Sequence, residues 1–158
     1  MRIGFASDIH RLVEGRRLIL SGVVIPFDLG EEAHSDGDVV YHAVAESILG
    51  ALALGDLGRH FPDNDVKYKD IDSSFIVKEV VKMMKEKGYI INNIDVSIAL
   101  EKPKLKDYIQ AMRDNLSRLL ETDINDVSIK AGTNEHLDAL GRNEAVKAEA
   151  IVLLKEEK

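Results

Sequence analysis

The stretch Glu144-Ala-Val-Lys-Ala-Glu-Ala-Ile-Val-Leu-Leu154 decides the fold. Its later half, Ala150 to Leu154, is apolar at every position. A strand turns alternate side chains to opposite faces, so a run without alternation is covered on both. This segment is therefore a central strand, or one that lies in a subunit interface. Working outward, Met1 to Arg11 does alternate. Ile3, Phe5, Ser7 and Ile9 share one face, and Gly4, Ala6, Asp8 and His10 share the other. Glu14-Gly15 reads as a turn and Arg17 to Ile25 as a second strand closed by Pro26, which predicts an N-terminal hairpin. Ile94, Val96, Ile98 and Leu100 alternate as a further strand, as do Val127, Ile129 and Ala131.

Helical spacing falls between these strands. After a polar loop, Asp28 to Gly37, a helix of about four turns buries Val40, Ala43, Val44 and Ala51, with Ser35 and Asp38 spaced like a capping pair. A second helix, Ser73 to Lys87, is buried through Phe75, Ile76, Val80, Met83 and Met84 and stops at Gly88. A third runs from Leu105 to Glu121 once Lys102-Pro103-Lys104 has broken the strand before it. Gly55 to Asp65 and Gly132 to Arg142 read as loops. The order β-β-α-α-β-α-β-β predicts one α+β domain over residues 1–158. Its expected form is a mixed four-to-five-stranded sheet, helices packed on one face, and the N-terminal hairpin.

Composition narrows the function. The chain has 158 residues, with 21 Lys and Arg against 28 Asp and Glu, for a net charge of −7. An acidic chain lacks the basic face that nucleic acid requires. Cysteine is absent, which removes disulfides, thiolate zinc sites and thiol nucleophiles. Any metal must be held by His, Asp and Glu. No apolar run is long enough to span a membrane, and the first residues do not form a signal peptide, so the expectation is a cytoplasmic protein with no membrane partner.

Asp8 and His10 stand at i and i+2 of a strand, so their side chains point the same way and can converge on one ion. Acid-x-His is a common pattern and occurs twice here, so it carries little by itself. His42, one turn into a helix, completes an Asp-His-His set that leaves a fourth zinc position open. Read alone, His42 is an ordinary core-edge histidine. Asp38 and Glu46, at i−4 and i+4, are each placed to accept its second N–H. His34-Ser35-Asp36-Gly37-Asp38 precedes that helix and offers donors to an anion, although it is equally good capping chemistry. Asp56, Asp63 and Asp65 are either solvated turn residues or acceptors for a polyol. Lys102, Lys104 and Lys106 are either a solvated edge or phosphate contacts. Thr133, Asn134 and Glu135 follow a strand end with donors that suit Mg²⁺. Arg142 is suited to an oxyanion, or to a surface salt bridge. No P-loop, G-x-G-x-x-G or Ser-His-Asp spacing is present.

Several blocks together resemble one family. They are R-I-G-x-x-x-D-I-H at residues 2–10, G-V-x-I-P at 22–26, A-H-S-D-G-D-V-x-x-H at 33–42 and A-L-G-D-L-G-x-x-F-P-D-N-D at 53–65. K-P-K-L at 102–105, K-A-G-T-N-E at 130–135 and G-R-N-E-A at 141–145 complete the set. Over its whole length the chain resembles the 2-C-methyl-D-erythritol 2,4-cyclodiphosphate synthase family of the non-mevalonate isoprenoid pathway.

The resemblance implies zinc, one per subunit, on Asp8, His10 and His42, and Mg²⁺ or Mn²⁺ at Glu135 with the substrate. It implies that His34 and Thr133 steady the transition state. The diol and its phosphate would meet His34, Ser35, Asp56, Leu57, Gly58, and the stretch Phe61, Pro62, Asp63, Asn64, Asp65, with Asp8, Ile9 and His10 also in the substrate-binding set. The cytidine diphosphate part would meet Leu100, Glu101, Lys102, Pro103, Lys104, Leu105 and Lys106, with Ala131, Gly132 and Thr133, contributed by a neighbouring subunit; Asn134 and Glu135 are also in the substrate-binding set. Ala139 and Arg142 join the expected substrate-binding set. It implies a homotrimer with active sites at the subunit interfaces, and a phosphorus–oxygen lyase that releases CMP. The chain departs from the family pattern at Phe5-Ala6-Ser7, at Ala139, and at Gly132, which stands in place of a frequent threonine. A metal-dependent phosphohydrolase and a non-enzymatic metal-binding trimer are the alternative readings of the same Asp-His-His set.

Overall fold

The computed structural model describes residues 1–158. Strand β1 (Arg2–Glu14) is followed by three short strands, β2 (Leu18–Leu20), β3 (Val23–Ile25) and β4 (Leu29–Glu31). Helix α1 (Val39–Ala51), a single turn α2 (Leu57–His60) and helix α3 (Ser73–Glu86) come next. Then follow β5 (Tyr89–Ala99), α4 (Ile109–Leu120), β6 (Val127–Gly132), the short α5 (Asp138–Gly141) and β7 (Ala145–Glu156). The main sheet has the order β4-β1-β7-β5-β6. Only β5 and β6 run parallel, joined by a crossover through α4.

The last strand is central, between β1 and β5. Its Val146, Ala148, Ala150, Val152 and Leu154 are fully buried beneath the helices. On the other face Ile151 lies opposite Phe5 and Leu153 opposite Ile3, and no helix covers them. Ile3, Phe5, Ile9 and Ile151 are between 47% and 71% exposed there. The buried face of β1 is thus the one made of small and polar residues. Gly4 explains why: a Cβ built there would stand 1.9 Å from the Ser47 carbonyl oxygen of α1. Helix and strand touch through backbone at that point.

The hairpin differs from expectation. Arg17 to Ile25 does not form one strand against β1. It folds on itself, with Leu18 to Leu20 paired to Val23 to Ile25 in a separate two-stranded sheet. Ser21 and Gly22 both take positive φ, at 49° and 73°, which is the two-residue turn that matches strand twist. The edge partner of β1 is β4, inside the segment expected to be a polar loop. Two smaller differences concern helices: α1 is capped by Asp38 itself, which accepts from the Tyr41 N–H, and Phe75 of α3 is 38% exposed.

Candidate functional site

Register and capping bring the histidines together. β1 presents Asp8 and His10 on the helix-covered face, two residues apart. α1 crosses that face so that Ser47 meets Gly4 near one end, while His42 in the first turn meets Asp8 and His10 at the other. Three atoms converge. His10 Nε2 is 3.1 Å from Asp8 Oδ2, His42 Nδ1 is 3.4 Å from the same oxygen, and the two ring nitrogens are 3.4 Å apart. Tetrahedral zinc with bonds of about 2.0–2.1 Å would have ligand atoms roughly 3.3 Å apart. The triangle matches one face of that tetrahedron, so these residues fit zinc.

The remaining ring nitrogens are pinned from behind. His10 Nδ1 donates to the Gly37 carbonyl at 2.7 Å. His42 Nε2 sits 3.1 Å from Ser35 Oγ and 2.9 Å from Ser73 Oγ. These contacts direct His10 Nε2 and His42 Nδ1 toward Asp8, the arrangement found around metal-bound histidines. Neither acid expected behind His42 is there. Asp38 is spent on the N–H groups of Ser21, Gly22 and Tyr41, and Glu46 accepts from the Leu57 N–H. Ser73 in turn is held by Asp36, through both its hydroxyl and its N–H. Ser73 and Gly37 escaped sequence reading because one lies far along the chain and the other acts through its carbonyl.

Electrostatics follow the packing. Burial raises the Asp8 pKa, but hydrogen bonds and attraction from His10 and His42 prevail and hold the carboxyl well below the usual range. Burial lowers His10, yet Asp8 and the Gly37 carbonyl turn the net shift upward. Behind the site, burial pushes Glu31 up to about 9 and Asp38 up to about 6.

The triad opens into a cavity of about 400 Å³, also lined by His34, Ser35, Leu57, Phe61, Pro62 and Asp63. Glu32, Tyr68 and Ile76, none of them expected at the site, line it as well, together with Glu46. Asp56 caps α2 through the Arg59 N–H, and the Asp65 carbonyl receives His34 Nε2 at 3.0 Å. The Ile9 side chain lies on the opposite face of the sheet, 53% exposed. Gly58 and Asn64 do not line the cavity.

A second cavity, about 420 Å³, forms where the parallel strands β5 and β6 end, the usual place for a ligand in such a pair. Leu100, Pro103, Lys104, Leu105, Lys106, Ala131, Gly132 and Thr133 line it with Ile109. The two cavities share no residue. Lys102, Asn134 and Glu135 flank the second without lining it, and Glu101 is turned into the protein. Ala139, on α5, lines neither cavity, and Arg142 pairs with Glu144 at 2.9 Å on the surface.

Comparison with known proteins identifies the family. The model of the YgbB family matches residues 1–155. The chain belongs to this family. A 2-C-methyl-D-erythritol 2,4-cyclodiphosphate synthase from Brachyspira hyodysenteriae is 56% identical over 158 residues, covering all of both chains. One from Carboxydothermus hydrogenoformans is 52% identical over 156 residues, covering 99% of this chain and 96% of that one. A solved structure of a 2C-methyl-D-erythritol-2,4-cyclodiphosphate synthase in complex with CDP superposes at a TM-score of 0.90 with 37% identity, covering 98% of this chain and all of the other. The bifunctional IspDF of Campylobacter jejuni superposes at 0.94 with 39% identity over 98% of this chain, which spans 42% of that longer protein. A relative sharing this fold has thus been solved with CDP bound. No helix of the chain is long and apolar enough to cross a membrane.

Proposed function

We propose that this chain is a cytoplasmic lyase that converts 4-diphosphocytidyl-2-C-methyl-D-erythritol 2-phosphate into 2-C-methyl-D-erythritol 2,4-cyclodiphosphate and CMP. The observation that carries the reading is the pairing of a zinc-shaped Asp8-His10-His42 triangle with a separate Lys-bearing cavity at Thr133. Family membership and relatives bearing that name support it. In the reaction a 2-phosphate oxygen attacks the β-phosphorus in line and CMP leaves, so no protein nucleophile is needed.

The protein's share is positioning and charge. His34 and Ser35 are placed to hold the diol phosphate in the first cavity, walled by Leu57, Phe61 and Pro62, which keep water from the reacting phosphorus. In the second, Lys104 and Lys106 meet the diphosphate and the Thr133 hydroxyl steadies the charge that develops on it. Zinc on the triad, with Mg²⁺ or Mn²⁺ at the exposed Glu135, would supply Lewis-acid neutralisation of phosphate charge when bound.

Within one chain the two cavities share no lining residue, and its uncovered sheet face exposes Ile3, Phe5, Ile9 and Ile151. Both facts support a homotrimer in which the first cavity of one subunit faces the second cavity of its neighbour.

Turnover in ¹⁸O-water tests the reaction. The cyclase expectation is no label in CMP or in the diphosphate product, and a product lighter than substrate by the CMP unit. One labelled oxygen per turnover would make the protein a phosphohydrolase.

A further inference from the structure

Beyond the last paired residues of the parallel strands, Ala99 and Gly132, the two chains part. One becomes the Lys102–Lys106 wall of the second cavity, the other the loop that carries Thr133 and Glu135. That loop is strained. Glu135, His136 and Asp138 take φ of 51°, 61° and 57°, a left-handed region that side chains disfavour. The bonds from Glu135 N to Thr133 Oγ1 and from Asn134 Nδ2 to Asp138 Oδ2 lie inside the loop, so they do not orient it relative to the cavity.

Glu101 does. It is 7% exposed, and both carboxylate oxygens reach across to the loop. Oε2 accepts the Asn134 N–H at 3.2 Å, and Oε1 lies 2.9 Å from His136 Nδ1. No Lys or Arg pairs with it; the acid is spent on the loop alone. The Leu100 N–H to the Gly132 carbonyl, at 3.0 Å, and the Lys102 N–H to Asn143 Oδ1, at 3.2 Å, brace the same two segments on either side. We propose that Glu101 is a positioning residue: its carboxylate fixes the Thr133–His136 loop against the nucleotide cavity without touching the ligand. The inference rests on the cyclodiphosphate synthase reading, since that reading places a cytidine diphosphate in the cavity. The carboxylate accepts the Asn134 N–H, and its negative charge draws the His136 imidazole whenever that ring is protonated. Glutamine keeps the volume but removes that charge and replaces one acceptor oxygen with an NH2 group, so the charge-assisted part of the tether is lost.

The test uses the zinc-loaded, assembled protein with CDP and Mg²⁺ in a calorimeter. Glu101→Gln and His136→Ala should each weaken CDP by about tenfold, the scale of one lost charge-assisted hydrogen bond. The double variant should be no weaker than the weaker single one, because both changes remove the same tether. Zinc content of Glu101→Gln should match wild type, as the triad shares no residue with this cavity. Wild-type CDP affinity in either variant, or losses that add, would overturn the proposal. If Glu101→Gln fails to fold, His136→Ala carries the test alone, since that side chain is 82% exposed. If wild-type protein binds no CDP, the activity reading is what fails. The tether is then read by hydrogen exchange, where the Asn134 amide should exchange faster in Glu101→Gln or His136→Ala, and an unchanged rate would refute it.

Discussion

At the scale of single residues, the candidate zinc site depends as much on what stands behind the histidines as on the ligands. A free imidazole rotates and presents either nitrogen. Here the Gly37 carbonyl and two serine hydroxyls settle which nitrogen faces Asp8. Two outcomes are expected. His42→Ala should abolish stoichiometric zinc by elemental analysis, and unchanged content would count against the triad. Ser35→Ala combined with Ser73→Ala should keep the three ligands yet weaken zinc by about 10–100-fold in chelator competition, the usual cost of losing partners of a ligating histidine. Equal affinities would mean the hydroxyls merely fill space.

Among the elements, two buried acids lace the β2–β3 hairpin to the start of α1. Asp38 caps α1 and receives the Ser21 and Gly22 N–H groups, while Glu31 receives the Ile19 N–H and leaves Oε1 without a partner. Burial, reinforced by the nearby Asp38 charge, pushes Glu31 from 4.5 up to about 9. Because the folded-state value is raised, the folded chain keeps a proton that the unfolded chain releases. That contribution is complete below pH 4.5 and is lost as pH rises through 9. Urea midpoints of wild type should therefore fall between pH 5 and pH 9 more steeply than those of Glu31→Gln, which cannot titrate. Parallel curves would show that Glu31 is ionised in the fold. Close approach of β1 and α1 gives a second expectation: Gly4→Ala forces a methyl group onto the Ser47 carbonyl and should cost about 1–3 kcal/mol in denaturant unfolding. A cost near zero would mean that the helix shifts freely.

For the whole molecule, the arrangement of two separate cavities and an uncovered apolar sheet face governs behaviour. If each site is shared between copies, His42→Ala and Lys104→Ala chains should be nearly inactive alone and partly active together after co-expression, because some mixed sites contain neither defect. Mixed trimers verified by mass with no recovered activity would sink the shared-site arrangement. Phe5→Lys, placed in the middle of the exposed apolar strip, should shift sedimentation toward smaller species. An unchanged assembly would place the interface elsewhere.

Much of this was legible from sequence because it depends on local rules. Strand alternation put Asp8 and His10 on one face, helical spacing found α1, α3 and α4, and the unbroken apolar run at Ala150 to Leu154 marked the central strand. The Ser21-Gly22 turn was also written in the chain, but a two-residue reversal inside an apolar run looks like a strand until its pairing is seen. Other features have no local signature. That β1 buries its small face follows from the approach of α1 to Gly4, a contact between residues more than forty positions apart. The hydroxyl of Ser73 behind His42, and the reach of Glu101 to a loop more than thirty residues away, arise only when separate elements are packed. Periodicity fixes which way a side chain points; the tertiary structure alone decides what it meets there.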